Sequence, residues 1–200
     1  MLIDYRNRRQ HYTSVVPRYD VPKAAPEPLA IVQRFVNSTD LENRREWLST
    51  PAELADWLRE AGLPVDGPFG KSDLTRAHEL REALRLLLQA NNGRPLSREA
   101  VSVFNAAVAA ARLSPELDER GNVTLELYGR GIDVALGRIV AVALEAMLDG
   151  RWARLKACRN CRWAFHDYSR NKSASWCSML LCGGRQKTRN YRRRKKAAQA

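Results

Sequence analysis

Cys158-Arg159-Asn160-Cys161 and, fifteen residues further on, Cys177-Ser178-Met179-Leu180-Leu181-Cys182 hold all four cysteines of this 200-residue chain. The spacing is C-x2-C, then C-x4-C. Four soft thiolates so placed can enclose one tetrahedral Zn²⁺, and Cys158, Cys161, Cys177 and Cys182 are the candidate ligands. With four sulfurs there is no position left for water, so the chemistry points to structure and not to catalysis. Free thiols, an iron–sulfur cluster and a C-x-x-C redox pair draw on the same residues. The redox pair ranks low because no thioredoxin-like βαβ pattern surrounds it. His166 is a further candidate ligand, although four cysteines suffice.

Immediately after the last cysteine the chain becomes cationic. Residues 151–200 contain fifteen Lys and Arg against one acid, Asp167, a formal charge of +14. Residues 1–150 contain 19 against 21, a charge of −2. A near-neutral body with a strongly basic end implies an anionic partner for that end alone. Gly183-Gly184 is expected to form a tight turn, with a helix starting near Arg185. At 100° per residue, Arg185, Arg189, Arg192 and Lys196 fall within about 60° of one another, a wholly cationic face. Such a helix can lie in a major groove or track phosphates of double-stranded DNA. Candidate DNA contacts are Arg185, Lys187, Arg189, Arg192, Arg193 and Lys196, with Arg170 and Lys172 from the loop between the cysteine pairs. Tyr191 falls off the cationic face and is expected to pack on the finger, while Phe165 and Trp176 read as its miniature core.

Upstream the pattern is helical. Residues 1–28 carry Pro17, Pro22, Pro26 and Pro28 and read as an extended arm with a short strand near Tyr12–Val16. A helical pattern runs from Leu29 to about Val36. Thr50-Pro51-Ala52-Glu53 is a capping box with Pro at the first helical position. Ser72 or Asp73 is expected to cap a helix with Leu74, Ala77, Leu80, Leu84, Leu87 and Leu88 inward, ending at Asn91-Asn92-Gly93. On that helix Glu79, Glu82, Arg81 and Arg85 read as solvated i,i+3 pairs. Ser97 caps another helix, with Val101, Phe104, Val108 and Ala111 inward. Residues 115–129 alternate polar and apolar around Glu119-Arg120-Gly121-Asn122, the pattern of a hairpin. A last body helix spans Ile132 to Met147 and stops at Gly150. The expected fold is mainly α: an arm over 1–28, a helical domain with a small β-hairpin over 29–150, a small treble-clef-like, four-cysteine zinc finger with a basic C-terminal helix over 151–196, and a tail over 197–200. With almost no linker between them, domain and finger are expected to pack together.

The residues carry a family resemblance. Phe165-x-Asp167-x-Ser169-Arg170-Asn171, Trp176-Cys177-Ser178-Met179 and Cys182-Gly183-Gly184-Arg185-x-Lys187 resemble the CGNR zinc finger. Phe35-Val36-Asn37-Ser38-Thr39, Trp57-Leu58 and Leu80-Arg81-x-x-Leu84-Arg85 look like the ABATE domain that usually precedes it. The resemblance covers most of the chain from about residue 29. It implies a bacterial, stress-linked transcription regulator whose finger binds zinc and DNA. Two positions depart from the pattern. Gly184 replaces the Asn of the signature, which is mild if that position needs a left-handed backbone. Ala174-Ser175 stands where the family tends to carry Arg.

Other functions find less support. There is no phosphate loop, no G-x-S-x-G and no H-E-x-x-H, and His11, His78 and His166 are scattered, so an enzyme is not expected. The chain opens without the apolar core of a secretion signal, and its apolar stretches are too short to span a bilayer. A cytoplasmic, nucleoid-associated location follows as the expectation, with no membrane partner. The body could sense a small-molecule effector through Arg34, Asn37, Thr39 and Arg81, although polar residues at a helix end usually cap backbone groups. It could instead be a scaffold for a homodimer, with the finger an adaptor for RNA or protein.

Overall fold

The computed structural model describes residues 23–197 and residue 199. Most of the expected arm, including Tyr12–Val16 and His11, lies outside the described residues. Its last part, from Lys23, runs along the finger: the Lys23 carbonyl accepts from the His166 backbone N–H at 2.9 Å.

Among the described residues, six α-helices and three two-stranded antiparallel sheets follow in chain order. Helix α1 spans Ala30–Val36, and the short strands β1 (Thr39–Asp40) and β2 (Arg45–Glu46) come next. Helix α2 (Pro51–Glu60) opens on the expected capping box: Thr50 accepts from the Glu53 N–H, and Glu53 reaches back to the Thr50 N–H. Helix α3 (Lys71–Ala90) is the longest element and runs through the middle of the core. Its cap differs from the expectation. Gly70 occupies the cap position, and Asp73 sits three residues in, accepting from the Gly70 N–H at 2.8 Å. Neither Ser72 nor Asp73 precedes the first turn, because the helix already begins at Lys71. Helix α4 (Arg98–Ala110) is capped by Ser97 as expected. The hairpin β3 (Leu113–Leu117) and β4 (Val123–Leu127) pairs Leu113 with Leu127 and Leu117 with Val123. Helix α5 (Ile132–Leu148) then crosses the core and ends before Gly150, whose φ is +79°.

One continuous core joins the inner faces of α1 to α5. Leu29, Val32, Phe35, Leu54, Leu58, Leu84, Leu88, Ile139 and Val140 are all fully buried. Each lies on the apolar stripe of its helix, except Leu29 at the cap position before α1, and burial of such side chains stabilises the fold by about 1.5–3 kcal/mol apiece. The core does not stop at Gly150. After a 3₁₀ turn at Arg151–Arg154, strands β5 (Leu155–Ala157) and β6 (Ala164–His166) form a hairpin. Its residues Leu155, Ala157 and Ala164 belong to the same core. A π turn at Met179–Gly183 leads directly into α6 (Gly184–Ala197).

Two arginines of α3 break the expected pattern. Arg81 and Arg85 were expected on a solvated face, yet they are 4% and 2% exposed. Arg81 forks onto Glu46 at 2.7 and 2.6 Å and reaches the Ser38 hydroxyl at 3.1 Å. Arg85 donates to the carbonyls of Val36 and Arg162 and to Glu82. The cause is that β1–β2 and the finger cover this face of α3. A guanidinium can satisfy several carbonyls there where an apolar side chain would leave them unpaired.

Candidate metal centre

The finger is built on the β5–β6 hairpin. Its tip, residues 158–163, is a knuckle closed by two backbone bonds: Cys158 N–H to Trp163 C=O and Arg162 N–H to Cys158 C=O, both 2.9 Å. The reversal requires Arg162 in the left-handed region at φ +64°. The knuckle supplies Cys158 and Cys161. Cys177 and Cys182 come from the later segment, Cys182 from the π turn that starts α6. Hairpin knuckle plus helix start is the treble-clef arrangement expected from the sequence.

All four cysteines are buried, and their sulfurs lie within 4.8 Å of one another. The Cys161 and Cys177 sulfurs are 3.5 Å apart, and those of Cys177 and Cys182 are 3.7 Å apart. Zn–S bonds of about 2.3 Å in a tetrahedron require sulfurs about 3.8 Å apart. The donor set fits a divalent metal in both chemistry and size. Its electrostatics agree. Neighbouring sulfurs push the Cys177 and Cys161 thiols well above the ordinary thiol range, because four thiolates this close cannot all carry charge without a cation among them. His166 is not in this cluster; it lies on β6 with its ring 4.4 Å from that of Tyr168.

Around the sulfurs sits a small apolar shell of Trp163 and Phe165, with Trp176 and Trp47 packed against it. Phe165 and Trp176 thus form the miniature core expected of them. Trp47 was not foreseen. It follows β2 in the helical body, and nothing in its local sequence marks it as a neighbour of cysteines more than a hundred residues away. Asn160 was also missed: its amide donates to the Cys182 sulfur at 3.6 Å and its oxygen accepts from Arg189 at 2.9 Å. The basic helix is therefore braced against the metal ligands.

The run Phe165-x-Asp167-x-Ser169 acquires a physical role. The Asp167 carboxylate is fully buried and accepts from Lys156 Nζ (2.7 Å), Ser169 N–H and hydroxyl, and Ala174 N–H. Lys156 also donates to the carbonyls of Lys172 and Ala174. This pair fixes the loop that presents Arg170 and Lys172, both of which are exposed.

Helix α6 has no acid and no buried residue, and eight of its fourteen residues are Arg or Lys. Its orientation refines the expected cationic face. Arg185 pairs with Glu42 of the body and Arg189 with Asn160, so the first two turns of that face are directed at protein. Lys187 and Arg194, 180–200° around from Arg185 at about 100° per residue, lie on the open side. Arg192, Arg193 and Lys196 are exposed beyond the second turn. Tyr191 does not pack on the finger; it is 67% exposed, because it too falls on the open side. Arg194 and Lys195 are exposed cations that sequence reasoning left out; counting helical positions from the anchor at Cys182 would have found them. Gly184 has φ −60°, an ordinary helical value, so its place in the signature needs no left-handed backbone.

The polar group considered as an effector site is brought together only in part, and its atoms have protein partners. Asn37 pairs both ways with Ala164 of β6 (2.9 and 2.8 Å), Thr39 donates to the Arg45 carbonyl, Arg81 holds Glu46, and Arg34 pairs with Glu27 at the surface. No helix among the described residues is long and apolar enough to cross a membrane.

Comparison with known proteins agrees with this architecture. No curated protein matches the chain. Residues 154–195 match the CGNR zinc finger, and residues 29–150 match ABATE, described as "Putative stress-induced transcription regulator". That second match covers more than half of the sequence, and the chain belongs to the ABATE family, with a CGNR zinc finger at its C-terminal end.

Proposed function

We propose that this protein is a zinc-dependent, DNA-binding transcription regulator that works in the cytoplasm at the nucleoid, and that it is not an enzyme. The observation that carries this reading is α6: an exposed, acid-free helix with eight cationic residues, braced against the cysteine cluster through Cys182 and the Arg189–Asn160 contact. Zinc is the ion that a closed set of four cysteines in a CGNR finger selects. Lys187 and Arg194 on the open side, with Arg192, Arg193 and Lys196 beyond the second turn, supply the phosphate contacts. Arg170 and Lys172 add to them from the loop held by Asp167. In this reading the body holds the finger at a fixed angle.

The test is a duplex DNA titration of the metal-loaded protein at several salt concentrations. Neutralising about five phosphates gives a slope of log K against log salt near −4.5. Chelation of the metal should abolish the tight component. A slope near zero, or DNA binding indifferent to chelator, overturns the proposal. Competition with RNA of the same length tests whether the helix prefers the DNA duplex.

A further inference from the structure

At the seam between body and finger, the C-terminal end of α3 and the knuckle face each other across a shallow, open cleft that encloses about 10 Å³. Arg94, Arg159 and Arg162 line it, with Gln89 and Asn92. Ala157 and the candidate metal ligand Cys158 complete the lining; no Asp or Glu lines the cleft, and among the described residues none of the three guanidiniums has a carboxylate partner. Like charges so placed repel; the metal-loaded four-thiolate centre behind Cys158, with two negative charges, offsets part of that repulsion, and an anion from solvent can offset the rest.

The arrangement is held in place. Arg159 donates its Nε to the Asn92 carbonyl at 2.9 Å, which fixes the guanidinium plane. Its terminal nitrogen lies against Gly93, where an added Cβ would stand 2.9 Å from it. Gly93 itself has φ +85°, so glycine meets two demands there. The Asn92 side chain is spent on the carbonyls of Ala157 and Ser175. The groups left to a ligand are the guanidiniums of Arg94, Arg159 and Arg162 and the Gln89 amide. Three full charges still exceed the two negative charges of a divalent ion held by four thiolates together with the roughly half negative charge of the α3 C-terminus, which leaves a small positive excess.

From this geometry we infer that the cleft is a binding site for one phosphate group. An enclosed space of about 10 Å³, against the about 300–1,000 Å³ of pockets that enclose a drug-sized ligand, leaves room for a small anionic group seated at the mouth of the cleft and not for a whole effector buried there. Guanidiniums arriving from the knuckle and from the turn after α3 suit the several outward oxygens of a phosphate. The phosphate can belong to a free small molecule or to the backbone of bound DNA. Only the second source rests on the DNA-binding reading.

The experiment uses full-length, metal-loaded protein, with Arg94→Gln, Arg162→Gln and their double variant, and Lys195→Gln in α6 as control. Metal content is measured for each. In the first arm, thermal melts compare inorganic phosphate with chloride at matched ionic strength. A free-phosphate site gives a rise in Tm for the parent and the Lys195→Gln protein that is lost in the double variant and reduced in Arg94→Gln, which lies outside the metal-binding knuckle. In the second arm, DNA titrations compare salt slopes. A backbone phosphate in the cleft makes the double variant's slope shallower by about 0.9, one contact's worth. Either result supports the site and names its source. Identical phosphate responses in all proteins, together with unchanged slopes, overturn it. If the parent protein binds no DNA, the regulator reading falls, and the first arm alone decides the cleft.

Discussion

Asp167 lies in a place where a carboxylate would normally be protonated. Burial raises its pKa, but the hydrogen bonds from Lys156 and from the Ser169 side chain and backbone, with the charge of Lys156, more than reverse this and hold it at about 2. The folded value is below the unfolded one of about 3.9. The contribution to stability is therefore complete above about pH 4 and is lost as pH falls from about 4 to 2. Asp167→Asn should remove that acid-sensitive step. At pH 7 it should destabilise by about 3 kcal/mol, because Lys156 would be left buried without its counter-ion; urea denaturation at pH 7 and at pH 3 measures both effects. Arg81 makes a similar case. Arg81→Ala strips Glu46 and Ser38 of a buried partner and should cost about 3 kcal/mol, whereas Arg34→Ala, which removes an exposed pair with Glu27, should cost less than about 1 kcal/mol. Equal losses for the two would contradict the assigned burial.

At the scale of elements, the contact between α5 and the β3–β4 hairpin turns on Gly137. A Cβ there would run into Leu127 Cδ2 and would stand 2.5 Å from the Ala111 Cβ. Alanine is a better helix former than glycine by about 1 kcal/mol, so propensity alone favours Gly137→Ala. Overpacking costs about 1–3 kcal/mol, and here one of the two clashing atoms is a Cβ that cannot rotate away. The clash should win, and thermal melts should show a lower Tm. Elements with a local cause were legible in the sequence. The Thr50 capping box, the Ser97 cap, the apolar stripe of α3 and the β3–β4 alternation all depend on residues within a few positions of one another. The two-residue strands β1 and β2 were not legible, because so short a segment has no period. Nor were the buried Arg81 and Arg85: on a helical wheel an arginine beside a glutamate looks solvated, and only the element laid over it shows otherwise. Asn91 and Asn92 illustrate the same limit. They end α3 as expected, but they also donate to the carbonyls of Trp152, Leu155, Ala157 and Ser175. The four cysteines were legible because metal chemistry requires a spacing that chance rarely supplies. The orientation of α6, set by Glu42 and Asn160, was not.

At the scale of the whole molecule, the finger has two anchors of different kinds. Its hairpin is tied to the body by Asn37, Asn91, Asn92, Gln33 and Arg85, and its inner residues share the body's core. Its π turn and α6 depend on the cysteine cluster. A chelator should therefore loosen only part of it. Amide exchange after metal removal should speed up across residues 177–197, while β5 and β6 stay protected; loss of protection throughout 155–197 would show that the hairpin needs the ion as well. The shared seam also limits how such a chain can be rearranged. Transplanted behind an unrelated helical bundle, this finger would arrive with a naked greasy edge and a row of carbonyls asking for amides. The recipient would have to bring its own asparagines to the joint, so the two segments are heritable as a matched couple and not as interchangeable beads.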